Sequence, residues 1–123
     1  LALTRRQLPG ARFRAIGFEP AFHKWKGQRC GGVQVHVTDP DRFKPVATYA
    51  ALLAEALRQA PRRFRWRKPP YEFERRKLPI DLLGGGPSIR RAIEGGAQLR
   101  HLEASWRRDL ARFARARRPF LLY

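Results

Sequence analysis

The side chains best suited to chemistry lie on one short run, Cys30-Gly31-Gly32-Val33-Gln34-Val35-His36-Val37-Thr38-Asp39. Valines at 33, 35 and 37 alternate with Gln34, His36 and Thr38, which sends the two sets to opposite faces of a strand. An amide, an imidazole and a hydroxyl in a row are short hydrogen-bonding groups, unlike the Lys or Glu that solubilise an ordinary outer face. Such a row suits the wall of a cleft, and it also suits a half-exposed strand that meets only water.

Other segments offer further chemistry. Residues 21–29 form a loop with Phe22 and Trp25, whose rings could stack on sugars or bases, or could cap a core. Glu72 and Glu74 in Pro69-Pro70-Tyr71-Glu72-Phe73-Glu74 come nearest to a carboxylate pair. Glycosidic cleavage ordinarily uses two carboxylates about 5–9.5 Å apart across the bond. Same-side neighbours on an extended segment line a wall instead, so the catalytic residues are left unassigned in this chain.

Gly84-Gly85-Gly86 ahead of a helix could cradle phosphate, but no Lys completes a P-loop and GxGxxG is absent. Arg62-Arg63-Phe64-Arg65-Trp66-Arg67-Lys68 carries the basic and aromatic interleaving of single-strand binders, yet simple strand alternation accounts for it. One cysteine and three scattered histidines give no metal-ligand spacing, so neither a metal nor a cofactor is expected.

These groups need elements to hold them. Leu8-Pro9-Gly10 closes the opening segment, and Ala11 to Pro20 reads as a strand with Phe13 and Ala15 on one face and Arg12, Arg14 and Ile16 on the other. Asp39-Pro40-Asp41 is a stop and a turn. Tyr49, Leu52, Leu53, Ala56 and Leu57 form a stripe predicting a helix over 45–59 that packs on the valine face, and Pro61 ends it.

Phe64 and Trp66 predict a third short strand, and 69–74 an extended segment with Glu72 and Glu74 on one side. A short helix or turn is expected over 78–83 and another over 89–94, with Ser88 as N-cap. Leu99, Leu102, Trp106, Leu110 and Phe113 predict a helix over 99–117 that Pro119 breaks, and 120–123 reads as a terminal strand or plug. Strand and helix signals alternate without a βαβ repeat, so the fold class is α+β, a small mixed sheet with two amphipathic helices packed on one face.

The chain of 123 residues fits one domain. It opens on Leu1 and not on Met, and residues 1–8 look like the tail of a helix, so they read as the end of a preceding domain or a linker. No apolar run approaches the roughly 20 residues of a membrane span, and no signal peptide is evident. The net charge of +17 would suit a polyanion. However, 22 of the 27 basic residues are arginines spread through every segment. A stand-alone basic module for polyanions or nucleic acid is therefore the alternative reading, and no specific nucleic-acid or membrane partner is expected.

The order of motifs resembles a known family. Leu8-Pro9-Gly10-x-Arg12-Phe13-Arg14, Phe18-x-Pro20-x-Phe22, the run from Cys30 to Asp39, Pro69-Pro70-Tyr71-Glu72, Pro79-Ile80-Asp81-Leu82-Leu83 and Arg118-Pro119-Phe120-Leu121-Leu122-Tyr123 are similar to the C-terminal domain of the NamZ exo-β-N-acetylmuramidases. The resemblance implies a bacterial, two-domain glycoside hydrolase that removes N-acetylmuramic acid from peptidoglycan fragments. In it, residues 9–123 would be the C-terminal auxiliary domain, partnered by a Rossmann-like N-terminal catalytic domain absent from this chain. The cleft between the two would take a muropeptide or a MurNAc-GlcNAc type glycan.

On this view Gln34, His36, Tyr71, Glu72 and Asp81 face the missing domain and help to hold substrate, with Arg12 or Arg14 able to pair with the lactyl carboxylate. The fragment alone would be inactive. The compartment is left open, a secreted or periplasmic parent being compatible with the substrate. An apolar patch left by the lost interface is expected around Leu1 to Leu8 and around Phe22 and Trp25.

Overall fold

The computed structural model describes residues 8–122. They form two compact units that divide between Glu55 and Ala56. The first is built on a hairpin of β1 (Ala11–Phe18) and β2 (Cys30–Val37), paired antiparallel. The register sets Ala11, Phe13 and Ala15 across from Val37, Val35 and Val33, and Arg12 and Arg14 across from His36 and Gln34. One face is thus apolar and the other polar, and the β-branched and aromatic cross-strand pairs are what stabilises the ladder.

Gly10 anchors the hairpin to the turn beyond β2. Its carbonyl accepts the N–H of Thr38 at 2.9 Å and of Asp39 at 3.4 Å. Asp39 makes the expected turn, its Oδ1 accepting the N–H of Arg42 at 3.2 Å and its carbonyl the N–H of Phe43 at 3.0 Å. That turn delivers the chain into α1 (Pro45–Gln59), with the bounds the apolar spacing predicts.

The buried face of α1 is not the predicted one. Ala47, Thr48, Ala50, Ala51 and Glu55 are buried, whereas Tyr49 and Ala56 are exposed and Leu52, Leu53 and Leu57 only half-buried. Ala47, Ala50 and Ala51 share the buried face with Thr48 and Glu55, and small side chains permit closer packing than leucines do. Apolar bulk alone favours the larger stripe.

The second unit holds α2 (Pro79–Leu83), α3 (Ser88–Glu94) and α4 (Leu99–Arg117), ending in a 3-10 turn over Arg118–Phe120. Pro79, Ile89, Ile93 and Leu102 are its buried apolar side chains. The α+β class therefore holds, with four helices and a sheet of two antiparallel strands among the described residues.

Several local expectations need correction. Residues 64–67 form no strand, although Phe64 and Trp66 do turn inward between exposed arginines and meet edge to face at 4.8 Å between centroids. Without a partner strand the alternation produces no ladder, so the sheet is not mixed. Pro87 and not Ser88 occupies the N-cap of α3, and Ser88 opens the helix without a side-chain cap bond. Arg118–Phe120 forms a 3-10 turn, because Pro119 suits the first turn of a helix, and Leu121 and Leu122 form no strand; Tyr123, the last residue of the expected strand or plug, lies outside the described residues. Of the opening segment read as a tail, only Leu8 is within the described residues, and it is buried.

Candidate functional site

The polar face of the hairpin is open to solvent along Arg12, Arg14, Gln34 and His36. The register brings Arg14 across from Gln34, and the Arg14 guanidinium donates from Nη2 to Gln34 Oε1 at 2.6 Å. That bond holds a cation at the centre of the face while leaving most of its five donors unused. Towards the loop end the same face becomes apolar: Ile16 sits across from Gly32, and a Cβ at Gly32 would meet the Phe18 ring at 2.8 Å. Polar groups thus lead onto a low apolar floor, which suits a sugar with a polar edge and an apolar face.

The connecting loop is ordered by its own backbone. Gly27 donates to the Pro20 carbonyl at 3.1 Å and Gln28 to the Trp25 carbonyl at 2.9 Å. His23 and Trp25 take left-handed conformations at φ 59° and 64°, uncommon for side chains of this size. The indole is held outward and is 64% exposed, with Phe22 also exposed and edge-on to His23. Exposed aromatics were expected here, and the loop supplies them; residues 1–7 lie outside the described residues.

Tyr71, Glu72 and Asp81 belong to the second unit. The segment expected to be extended is a tight turn: Tyr71 and Glu74 exchange both backbone hydrogen bonds, at 2.9 and 3.0 Å, and Glu72 has φ 51°. Glu72 and Glu74 therefore do not share a strand face. Glu72 and Phe73 form the exposed tip, with Phe73 at 99%, and the Arg67 guanidinium lies 5.4 Å from the Tyr71 ring centroid.

Glu74 turns back on its own loop, its Oε1 accepting the N–H of Arg76 at 2.6 Å and of Lys77 at 3.2 Å. The bond from Arg76, then that from Lys77, holds its carboxyl below the ordinary glutamate range. A lowered folded value stabilises the turn above the ordinary range, and that contribution is lost as pH falls through the lowered value. We expect the Arg76 and Lys77 amide resonances to titrate together with a midpoint below that of an ordinary glutamate, and to be flat over this range in Glu74→Gln. A midpoint at or above the ordinary range contradicts the assignment.

Asp81 is engaged by Arg90, which donates from Nε to Oδ1 at 2.8 Å and from Nη2 to Oδ2 at 3.0 Å. Arg90 also reaches Glu94 Oε2 at 3.1 Å, and Trp66 Nε1 donates to Glu94 Oε1 at 2.8 Å. The bond to Asp81 is the main influence raising the affinity of Arg90 for its proton. This network braces α2 against α3. Arg90 and Glu94 stand at i,i+4 spacing on α3, and sequence reasoning missed this pair as well as the reach of Arg90 to Asp81 and of Trp66 to Glu94. Among the described residues no group of three or more His, Cys, Asp or Glu could hold a metal ion.

Comparison with known proteins adds three findings. The family model described as exo-beta-N-acetylmuramidase NamZ, C-terminal, matches residues 1–123. The chain is 32% identical over 121 residues to the peptidoglycan beta-N-acetylmuramidase NamZ of Bacillus subtilis (strain 168), a match that takes in 98% of this chain and 27% of that protein. Its fold is similar to the crystal structure of a DUF1343 family protein from Bacteroides fragilis NCTC 9343, with a TM-score of 0.77 and 24% identity, over 99% of this chain and 31% of that one.

Proposed function

This chain belongs to the family of NamZ C-terminal domains, and from that premise we propose that it forms one wall of the substrate cleft in a longer peptidoglycan-fragment glycoside hydrolase of the exo-β-N-acetylmuramidase kind. The catalytic carboxylates come from the preceding, N-terminal domain, and this chain binds and orients. The observation that carries the reading is the open ladder of Arg12 and His36 beside Arg14 and Gln34, ending on an apolar floor.

N-acetylmuramic acid presents hydroxyls, an acetamido group and a lactyl carboxylate. The Gln34 amide can both donate to and accept from the acetamido group, and His36 can serve a hydroxyl in its neutral form. Arg14 is the group for the carboxylate, because a guanidinium engages it through two parallel bonds. Its bond to Gln34 presents the guanidinium before substrate arrives. On the second unit, Tyr71 and Glu72 offer the glycan a phenol and a carboxylate of their own. Asp81, whose two oxygens both meet Arg90, braces α2 against α3 within that unit.

The test is kinetic and uses the intact enzyme. Gln34→Ala with His36→Ala is expected to raise KM for a muramyl glycan about tenfold with kcat little changed, as the loss of two hydrogen bonds made equally in the ground and transition states requires. An unchanged KM overturns the role of this face. Salt-resistant binding of the chain to nucleic acid, with no effect of these substitutions on glycan turnover, would favour the polyanion-binding alternative instead.

A further inference from the structure

Helix α4 begins packed and ends bare. Leu99, Leu102, Trp106, Leu110 and Phe113 recur along one stripe, but their exposure changes along it. Leu102 is 7% exposed and Leu99 and Trp106 are half-buried, whereas Leu110 and Phe113 are 61% and 63% exposed. Every residue from Arg107 to Leu122 is exposed, so about three turns of helix run on beyond the packing that supports the first half. A projecting helix that short gains little from propensity alone, and its stability comes from burying an apolar face. Phe120 and Leu122 extend the apolar surface past the end of the helix.

We propose that Leu110 and Phe113, with Phe120 and Leu122, are the surface on which the preceding portion of the longer protein docks, inserting the two helix side chains into an apolar groove. This inference rests on the two-domain reading above. The chain spans 27% of the length of its Bacillus subtilis relative, so most of such a protein lies outside these residues and is available as occupant. A second copy is disfavoured because two chains of net charge +17 repel. The opposite face of α4 is exposed: Arg108, Arg112 and Arg115 line it, and the Arg112 to Asp109 contact of 3.3 Å is about three-quarters exposed at both ends. Docking is therefore one-sided.

The experiment uses the intact protein with a protease site inserted ahead of Leu1. After cleavage the two parts are expected to remain associated, and Leu110→Glu with Phe113→Glu to weaken that association about tenfold or more. Leu110→Met with Phe113→Leu restores it, and Arg108→Ala with Arg115→Ala leaves it unchanged. Helix content by circular dichroism confirms that each variant is folded. Association of unaltered strength in the double Glu variant overturns this docking surface but leaves the two-domain reading standing. Parts that separate in the unsubstituted protein, or a coding sequence with no preceding domain, overturn both. Loss of a homodimer, or of binding to phosphatidylglycerol vesicles, as the sole effect of the double Glu variant assigns the stripe to a second copy or to lipid and overturns the proposal.

Discussion

Alanine at position 10 is expected to unfold the hairpin unit. Gly10 has φ 69°, in the left-handed region, and a Cβ there would meet backbone on all sides: the Asp39 carbonyl oxygen, the Phe43 nitrogen at 2.6 Å and the Phe43 Cα at 2.9 Å. Backbone atoms cannot swing aside as a side-chain tip can. The left-handed conformation costs a residue with a Cβ about 1–2 kcal/mol, and forced overlap adds about 1–3 kcal/mol or more. The Gly10 carbonyl accepts the N–H groups of Thr38 and Asp39, so relief of the overlap would break the turn into α1. Against total stabilities of about 5–15 kcal/mol, and with few large side chains buried, such a loss is a large share. Gly27→Ala is the control: its φ is 71° but nothing lies within 4 Å of the added Cβ, so only the conformational cost of about 1–2 kcal/mol applies. Denaturation midpoints of the two variants read the difference directly. A Gly10→Ala midpoint equal to that of the unsubstituted protein contradicts the account.

The parts of the fold legible in the sequence are those set by local periodicity. Alternation around Val33, Val35 and Val37 located β2 and its two faces, and the apolar spacings fixed the bounds of α1 and α4. Periodicity says which residues share a face but not which face is covered. In α1 the alanines are buried and Tyr49 is exposed, which spacing along the helix does not decide. The same limit applies to Phe64 and Trp66, whose pattern is that of a strand but which find no ladder partner.

At the candidate site, the polar row of Gln34 and His36 was readable from residue type, while the Arg14 to Gln34 bond required the register of the hairpin. The turn at Tyr71 to Glu74 was not readable. Glu72 adopts a conformation that only a few per cent of residues other than glycine take, so no propensity rule points to it. Asp81 was singled out through the family resemblance, but not as the partner of Arg90, which lies nine positions further along the chain.

In the proposed division of labour this chain holds the muramyl end of a glycan and the preceding domain cuts. Retaining and inverting hydrolysis ordinarily use two carboxyl groups placed across the scissile bond. Glu72 stands exposed at the tip of a turn, Glu74 is tied to the N–H groups of Arg76 and Lys77, and Asp81 is tied to Arg90. None of these three acids faces another across an open site within its unit. The decisive measurement is release of N-acetylmuramic acid from a muramyl glycan by the 123-residue chain alone and by the intact protein, at equal molar concentration. The account predicts turnover by the intact protein and none above the uncatalysed rate by the chain. Turnover by the chain alone that is abolished in Glu72→Gln would contradict it.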